Sequence, residues 1–494
     1  MGAVEGIAYG LGVAMAPANL LACFVGVLIG TIVGVLPGIG PIGAMALLIP
    51  STLALSPTTA LIMLAGIYYG SMYGGSTTSI LVRVPGEAAS VVTAIEGYAM
   101  ARRGRAGAAL AVSAVGSFVA GTLGIFGIVL LAAWLADQAL RFGPPEYFAL
   151  SLMGLLVLSR LSGGSVVTSL FMVGAGLAIG TVGMEPISGV SRFTFGWLTL
   201  AQGIDLVPVI MGLYGIAEVL VLAEQGVRRA RIATVRLREL FPTAEEWRRS
   251  AAPIARGSAV GFLAGLVPGP AAVLSTFISY ALERRVSKTP EQFGHGAIEG
   301  VAGPEAANNG ATAGAMVPLL SLGIPFAPAT AILLSALVIH GVQPGPLLMA
   351  QRPDVFWGVV ASMYVGNAFL LILNLPLIGV FVSILRLPQH VLSTLVLLLC
   401  LVGAWSLNNS LLDLWVLVLF GLIGYGLRKL AVDPAPLIVA LVLGPFMENT
   451  LRQTLFMAHG EWRLLVFRPL AAALILVGLI ALIAPPIVAA LRRR

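Results

Sequence analysis

The chain has 494 residues, 58% of them hydrophobic and only 10% charged, and its mean hydropathy of +0.99 excludes a soluble globular protein and identifies an integral membrane protein. Its net charge of +7 comes from Arg residues gathered in short loops between apolar runs, a pattern explained by the positive-inside rule and not by nucleic-acid binding. Cys23 and Cys400 both lie in apolar runs and read as small hydrophobes, not as a disulfide or a metal pair.

The first residues, "MGAVEGIAYGLG", carry no basic n-region and lead to no cleavage site, so the first apolar run, "ANLLACFVGVLIGTIVGVL" (18 to 36), is expected to stay in the membrane. It ends at the Pro-Gly turn "PGIGP". The "IGAMALLI" between that turn and Pro50 is too short to cross about 30 Å of hydrocarbon at about 1.5 Å per residue, which predicts a half-helix or a re-entrant piece. Further along, "VRVPGEAAS" (82 to 90) and "LGIPFAPAT" (322 to 330) interrupt apolar segments with proline, which removes a backbone donor and breaks the helical ladder. The segment "QGVRRARIATVRLRELFPTAEEWRRS" (225 to 250) is the longest polar stretch, with seven Arg against three Glu, and is expected on the cytoplasmic side. Long apolar runs then return, among them 359 to 385 and 469 to 491.

The chain repeats itself across that polar stretch. "GVLPGIGP" (34 to 41) is answered by "GLVPGPAA" (265 to 272), and "YYGSMYGGSTTSILVRVPGEAAS" (68 to 90) lies without a gap on "NNGATAGAMVPLLSLGIPFAPAT" (308 to 330), placing Gly70 on Gly310, Gly74 on Gly314 and Pro85 on Pro325. "MEPI" (184 to 187) answers "VDPA" (432 to 435) more weakly. Matched loops differ in charge: "ERRVSKTPEQ" (283 to 292) is basic where "PSTLALSPTT" (50 to 59) is uncharged, and "ARRGR" (101 to 105) is basic where "PLLMAQRPD" (346 to 354) is neutral. Opposite charge in matched loops places them on opposite sides. The expected fold is therefore an all-α polytopic membrane protein of two inverted-topology repeats with broken or re-entrant helices, about 11–14 membrane segments in all. Residues 1–224 form the first repeat, 225–250 a basic cytoplasmic linker, 251–460 the second repeat and 461–494 an extra C-terminal helix.

"EGVAGPEAANNGATAGAMVPLLSLGIP" (299 to 325) followed by "GVQPGPLL" (341 to 348) resembles the signature of the large membrane subunit of the tripartite tricarboxylate transporters. "GVLPGIGP", "IYYGSMYGGSTTSILVRVPGEAAS", "EGYAMARRG" and "SRFTFG" resemble the corresponding first-half motifs, so the likeness covers nearly the whole chain. Phe326, Pro270-Ala271 and Arg83 depart from the family pattern. The resemblance implies a multi-pass subunit of the bacterial inner membrane that works with a small membrane subunit and a periplasmic solute-binding protein. It further implies uptake of carboxylates such as citrate, coupled to Na+ or H+, with no bound cofactor.

Interrupted segments at matched positions of inverted halves point to a transporter's central site, and polar groups at membrane depth mark a pathway or a partner. The substrate-binding candidates are Gly38, Gly40, Gly74, Gly75, Ser76, Thr77, Thr78, Arg83, Pro85, Gly86, Pro268, Gly269, Asn308, Asn309, Gly310 and Pro325; the cation-coupling candidates are Ser79, Glu305 and Asn308. Gly74-Gly75-Ser76 is expected to form a nest of N–H groups for an anion, and Arg83 to grip a carboxylate with two prongs. Structural readings stand beside these: the hydroxyls could bond their own helix, Glu305, Asn308 and Asn309 could cross-link helices, and Arg83 could snorkel or pair with Glu87. His295 and Glu299 lie four apart, but two ligands do not make a metal site. An intramembrane enzyme using Glu305 lacks a partner nucleophile, no Walker loop, HExxH helix or nucleophile elbow occurs, and a passive channel or scaffold is disfavoured by the interrupted repeat.

Overall fold

A computed structural model describes residues 2–36, 40–162, 165–185, 189–225, 241–384 and 389–491. The first half comprises α1 (Ala3–Ala14), α2 (Pro17–Val35), α3 (Gly40–Thr52), α4 (Pro57–Val82), α5 (Val91–Arg102), α6 (Ala106–Ala139), α7 (Pro144–Leu161) and α8 (Val166–Gly180), then a small hairpin pairing Gly183–Met184 with Ser191–Arg192. It closes with α9 (Leu206–Ile210), which passes through a π-helical stretch at Met211–Ile216 into α10 (Ala217–Gln225). The second half runs through α11 (Ala244–Gly265), α12 (Ala271–Val286), α13 (Glu299–Leu322), α14 (Pro328–Ile339), α15 (Leu348–Gln351), α16 (Pro353–Asn374), α17 (Ile378–Ile384), α18 (Gln389–Asn408), α19 (Leu411–Lys429) and α20 (Ala435–Met457). The short α21 (Arg463–Phe467) leads into α22 (Pro469–Leu491), which lies against α7.

The protein is an all-α polytopic membrane protein. Among the described residues, five helical stretches are long and apolar enough to cross a bilayer, and large apolar side chains such as Phe126 and Trp134 on α6 and Trp415 and Leu422 on α19 point outward. Two differences from the sequence reading concern boundaries. α3 continues through Pro50 to Thr52, and α11 starts at Ala244, so the end of the basic linker is already helical. Thr243 caps α11 in a reciprocal pair with Glu246. Residues 226–240 of that linker lie outside the described residues.

Each half is built on a parallel pair of helices with almost nothing between their backbones. In the first half, a Cβ added at Gly26, Gly30 or Gly34 of α2 would collide with the carbonyl oxygen of Met63, Ile67 or Ser71 on α4. In the second, Gly257, Gly261 and Gly265 of α11 meet the carbonyl oxygens of Gly303, Ala307 and Ala311 on α13 in the same way. Small residues four apart let transmembrane helices approach this closely, replacing a hydrophobic driving force with van der Waals contact.

After α2 and after α11 the chain runs back as the short α3 and α12, in the second half by way of Pro268-Gly269, while α4 and α13 stop at matched breaks. Arg83 and Gly323 end these helices in the left-handed conformation (φ 59° and 72°), and Pro85 and Pro325 follow two residues later. The exits α5 and α14 then diverge to opposite faces. Thr52 bonds His340 at 3.1 Å and Thr58 donates to Asp354 at 2.7 Å, so α4 begins beside the end of α14. On the other face Glu96 of α5 accepts from the N–H of Gly296 (2.7 Å) and Ala297 (2.9 Å), so α13 begins beside the end of α5. The matched helices α4 and α13 therefore run in opposite directions, and the two halves are inverted.

The cross-contacts are reciprocal. α4 packs on α16 and α13 on α6; α7 and α8 pack on α20, while α18 and α19 pack on the α9–α10 segment. This exchange revises one weak match. Asp433, whose carboxylate accepts the Ala435 N–H (2.9 Å) at the start of α20, is matched by Asp205, which accepts the Val207 N–H (3.0 Å) at the start of α9, and not by the region of "MEPI". Residues 186 and 187 of that motif lie outside the described residues.

Candidate functional site

The four chain interruptions meet around a central cavity of about 450 Å³. Its walls include Gly40, Pro41 and Ile42 opening α3, Pro85 to Ala89 between α4 and α5, Ala271 to Val273 opening α12, and Ala327 to Ala329 opening α14. Ala435 at the start of α20 adds a fifth segment, and Tyr68, Met72, Tyr214, Arg428 and Asp433 complete much of the lining. The helices α3, α12, α14 and α20 thus all present their N-terminal ends to one space. Unpaired N–H groups and the positive dipole end make α3, α12 and α14 attractive neighbours for an anion, whereas the start of α20 is already capped by the Asp433 carboxylate. Backbone without helical partners is tolerable at this depth only where it lines such a cavity.

A second cavity of about 1210 Å³ lies toward the opposite face, bounded by Leu322 and Gly323, by Asp205, and by the loop from Gly341 to Leu347. Between the two, the tip of the α11–α12 turn is fastened to the α13–α14 break, with the Gly269 N–H donating to the Phe326 carbonyl at 2.9 Å.

The sequence-derived candidates separate into three groups. Gly40, Pro85 and Gly86 line the central cavity. Pro268, Gly269 and Pro325 are buried in the tips next to it, while Gly38 lies outside the described residues. Gly74, Gly75, Ser76, Thr77, Thr78 and Ser79 belong to the buried interior of α4. Their N–H groups sit within a continuous helix, so Gly74-Gly75-Ser76 forms no anion nest. Gly74 packs on the backbone of α2, and Gly310 packs on that of α11. Thr78 and Ser79 bond the Gly75 carbonyl of their own helix at 3.1 and 3.0 Å.

Glu305 is the centre of a buried knot. Its carboxylate accepts from Ser76 of α4, from Thr93 of α5 and, at 3.0 Å, from Ser113 of α6. Asn309 donates to Ser117 of α6 at 2.7 Å. These two side chains tie α13 to three first-half helices and do not line the cavity. Asn308 is different, because its Nδ2 donates at 2.7 Å to Oε1 of Glu87, a cavity-lining residue.

Arg83 is a correction. It is exposed, with its guanidinium 5.8 Å from the Tyr98 ring centroid, and it pairs neither with the cavity nor with Glu87, whose carboxylate is turned to Asn308. The guanidinium at the cavity wall is that of Arg428, which is salt-bridged to Glu218. Sequence reasoning missed Arg428, Asp433 and Tyr214, and treated Glu87 only as a partner for Arg83. Two signals were present: Arg428 stands just before "VDPA", and Glu87 is charged where the matched break carries Ala327. Glu299, the other half of the His295 pair, is held by Arg249 at 2.7 Å.

The profile of the tripartite tricarboxylate transporter TctA family matches residues 20–439. An uncharacterized 52.8 kDa protein from the TAR-I ttuC′ 3′ region of Agrobacterium vitis is 45% identical over 479 residues, covering 97% of this chain and 95% of its own length. An uncharacterized protein from the TAR-II ttuC′ 3′ region of the same organism is 43% identical over 223 residues, covering 45% of this chain and 92% of its own length. No solved structure matches the chain.

Proposed function

The chain belongs to the tripartite tricarboxylate transporter TctA family, and from that premise we propose that it is the large membrane subunit of a cation-coupled secondary transporter that imports a tricarboxylate or related carboxylate, such as citrate. It works in the bacterial inner membrane with a small membrane subunit and a periplasmic solute-binding protein, and Na+ is the coupling ion expected. The observation that carries this reading is the convergence of four helix N-termini on one cavity where the inverted halves meet. Several partial positive ends around a polyanion replace water's hydration without adding a mobile counter-charge. The N-terminal turns of α3, α12 and α14, with Gly40, Pro85 and Gly86, hold the carboxylate groups, and Arg428, shared with Glu218, offers its guanidinium at the cavity wall.

Inverted halves with breaks at the centre suit alternating access, in which the site is exposed to one face and then the other. The basic loops at Arg102, Arg103, Arg284 and Arg285 put the central cavity's ends of α7 and α19 on the cytoplasmic side and the larger cavity on the periplasmic side.

The test is uptake of labelled citrate and other carboxylates into proteoliposomes that contain this chain and its small subunit, with the binding protein added outside. Accumulation is expected to require both the binding protein and an inward Na+ gradient. Accumulation indifferent to both would remove the coupled, tripartite reading.

A further inference from the structure

The reading above leaves the coupling ion without ligands. On that reading, we propose that Glu87 and Asn308 supply two of the oxygen ligands of a monovalent cation at the wall of the central cavity.

Asn308 lies in the middle of α13 and has no exposed surface. Its Nδ2 is spent on Glu87 Oε1 at 2.7 Å, and its Oδ1 is buried with no hydrogen-bond partner. Buried amide oxygens are almost always satisfied, so one left bare on an amide that holds a cavity-lining carboxylate marks the place of a further partner. A neutral donor would satisfy the oxygen alone. The Glu87 carboxylate, held by the same amide through Nδ2, adds a negative charge next to it, and the pair therefore favours a cation. One carboxylate and a neutral amide balance a single positive charge, whereas divalent ions in proteins gather more carboxylate oxygens.

Two further observations fit this site. Gly75 of α4 leaves room for the Glu87 side chain, since a Cβ there would stand 2.7 Å from Glu87 Cγ. The invariance of the two halves is broken here: Tyr68 occupies the position matched to Asn308, and Ala327 the position matched to Glu87, so the repeat supplies one such pair and not two. Glu305 does not compete for this role, because both its carboxylate oxygens already accept hydroxyl donors from three helices.

The experiment titrates NaCl, with KCl and LiCl in parallel and a pH series at fixed salt, against the thermal midpoint of the full-length chain purified with its small subunit. Wild type is expected to show a saturable Na+ response. Glu87→Gln and Asn308→Ala should each raise the half-saturating Na+ concentration at least tenfold, and Gly75→Ala, which alters no ligand atom, should raise it severalfold. Glu87→Asp, kept as a conservative variant in case the others fold poorly, should retain a weakened response. A wild-type response unchanged in both Glu87→Gln and Asn308→Ala overturns the site and leaves the coupled reading intact. Stabilisation by acid that Na+, K+ and Li+ do not reproduce overturns the metal-cation assignment. A wild type indifferent to every cation in both this titration and uptake overturns the coupled reading itself.

Discussion

At the scale of single residues, the polar groups buried in this hydrophobic chain divide by what they touch. Glu305 and Asn308 are three residues apart, yet the first is saturated by hydroxyls from α4, α5 and α6 while the second keeps a bare oxygen beside the cavity. Their cost at membrane depth was legible in the sequence. Their partners were not, because Ser76, Thr93 and Ser113 are brought together only by tertiary packing. Glu305→Ala would strand three buried hydroxyls and is expected to cost about 3–5 kcal/mol, by analogy with removal of one partner of a buried charged cluster; the loss should appear as a lower thermal midpoint or a smaller folded fraction in gel filtration. Arg83 illustrates the opposite error. A charge in an apolar run looked like a ligand, but its position is dictated by a left-handed helix end, at which the matched half uses Gly323. Arg83→Gly should therefore leave uptake within twofold of wild type and hold or raise stability by up to about 1 kcal/mol. Arg428→Ala should lower uptake per folded molecule at least tenfold.

At the scale of elements, the interruptions were readable and the helix pairing was not. "VPGEAAS" and "GIPFAPAT" each contain a proline that interrupts the ladder, and each of these breaks is found where that chemistry puts it, while residues 37–39 of "PGIGP" lie outside the described residues. The glycines of α2 and α11 were present in the sequence at spacings of four, but glycine is common in membrane helices, and nothing local names its partner. The packing makes a discriminating comparison available. Gly30→Val and Gly261→Val should both abolish the monodisperse folded protein, because each would drive a side chain into the backbone of the facing helix. Gly426→Val, at a position with open space around it, should be tolerated. The comparison is read by fluorescence-detected gel filtration of the three tagged variants.

At the scale of the whole molecule, inversion was inferred from loop charge, and the structure reaches it independently through the contacts of Thr52 with His340 and of Glu96 with the loop before α13. A membrane-impermeant maleimide should label Arg103→Cys and Arg285→Cys from the cytoplasmic side, and Leu53→Cys and Leu347→Cys from the other. The native Cys23 and Cys400 are buried and free, so background should be low. The central cavity itself was beyond the sequence, since it needs residues from α3 to α20 placed in three dimensions. Its relation to the larger cavity has an electrical consequence. On the proposed sidedness, one hollow faces each side, and the insulating part of the protein is thinned to the region between them, which includes the Gly269–Phe326 bond. The transmembrane voltage would then fall over that shorter stretch instead of the full bilayer thickness. An ion carried across it would gain or lose about 2.3 kcal/mol per elementary charge for every 100 mV, so on the proposed coupled mechanism any imbalance between the charges of substrate and ions moved per cycle would be weighed by the membrane potential across this septum.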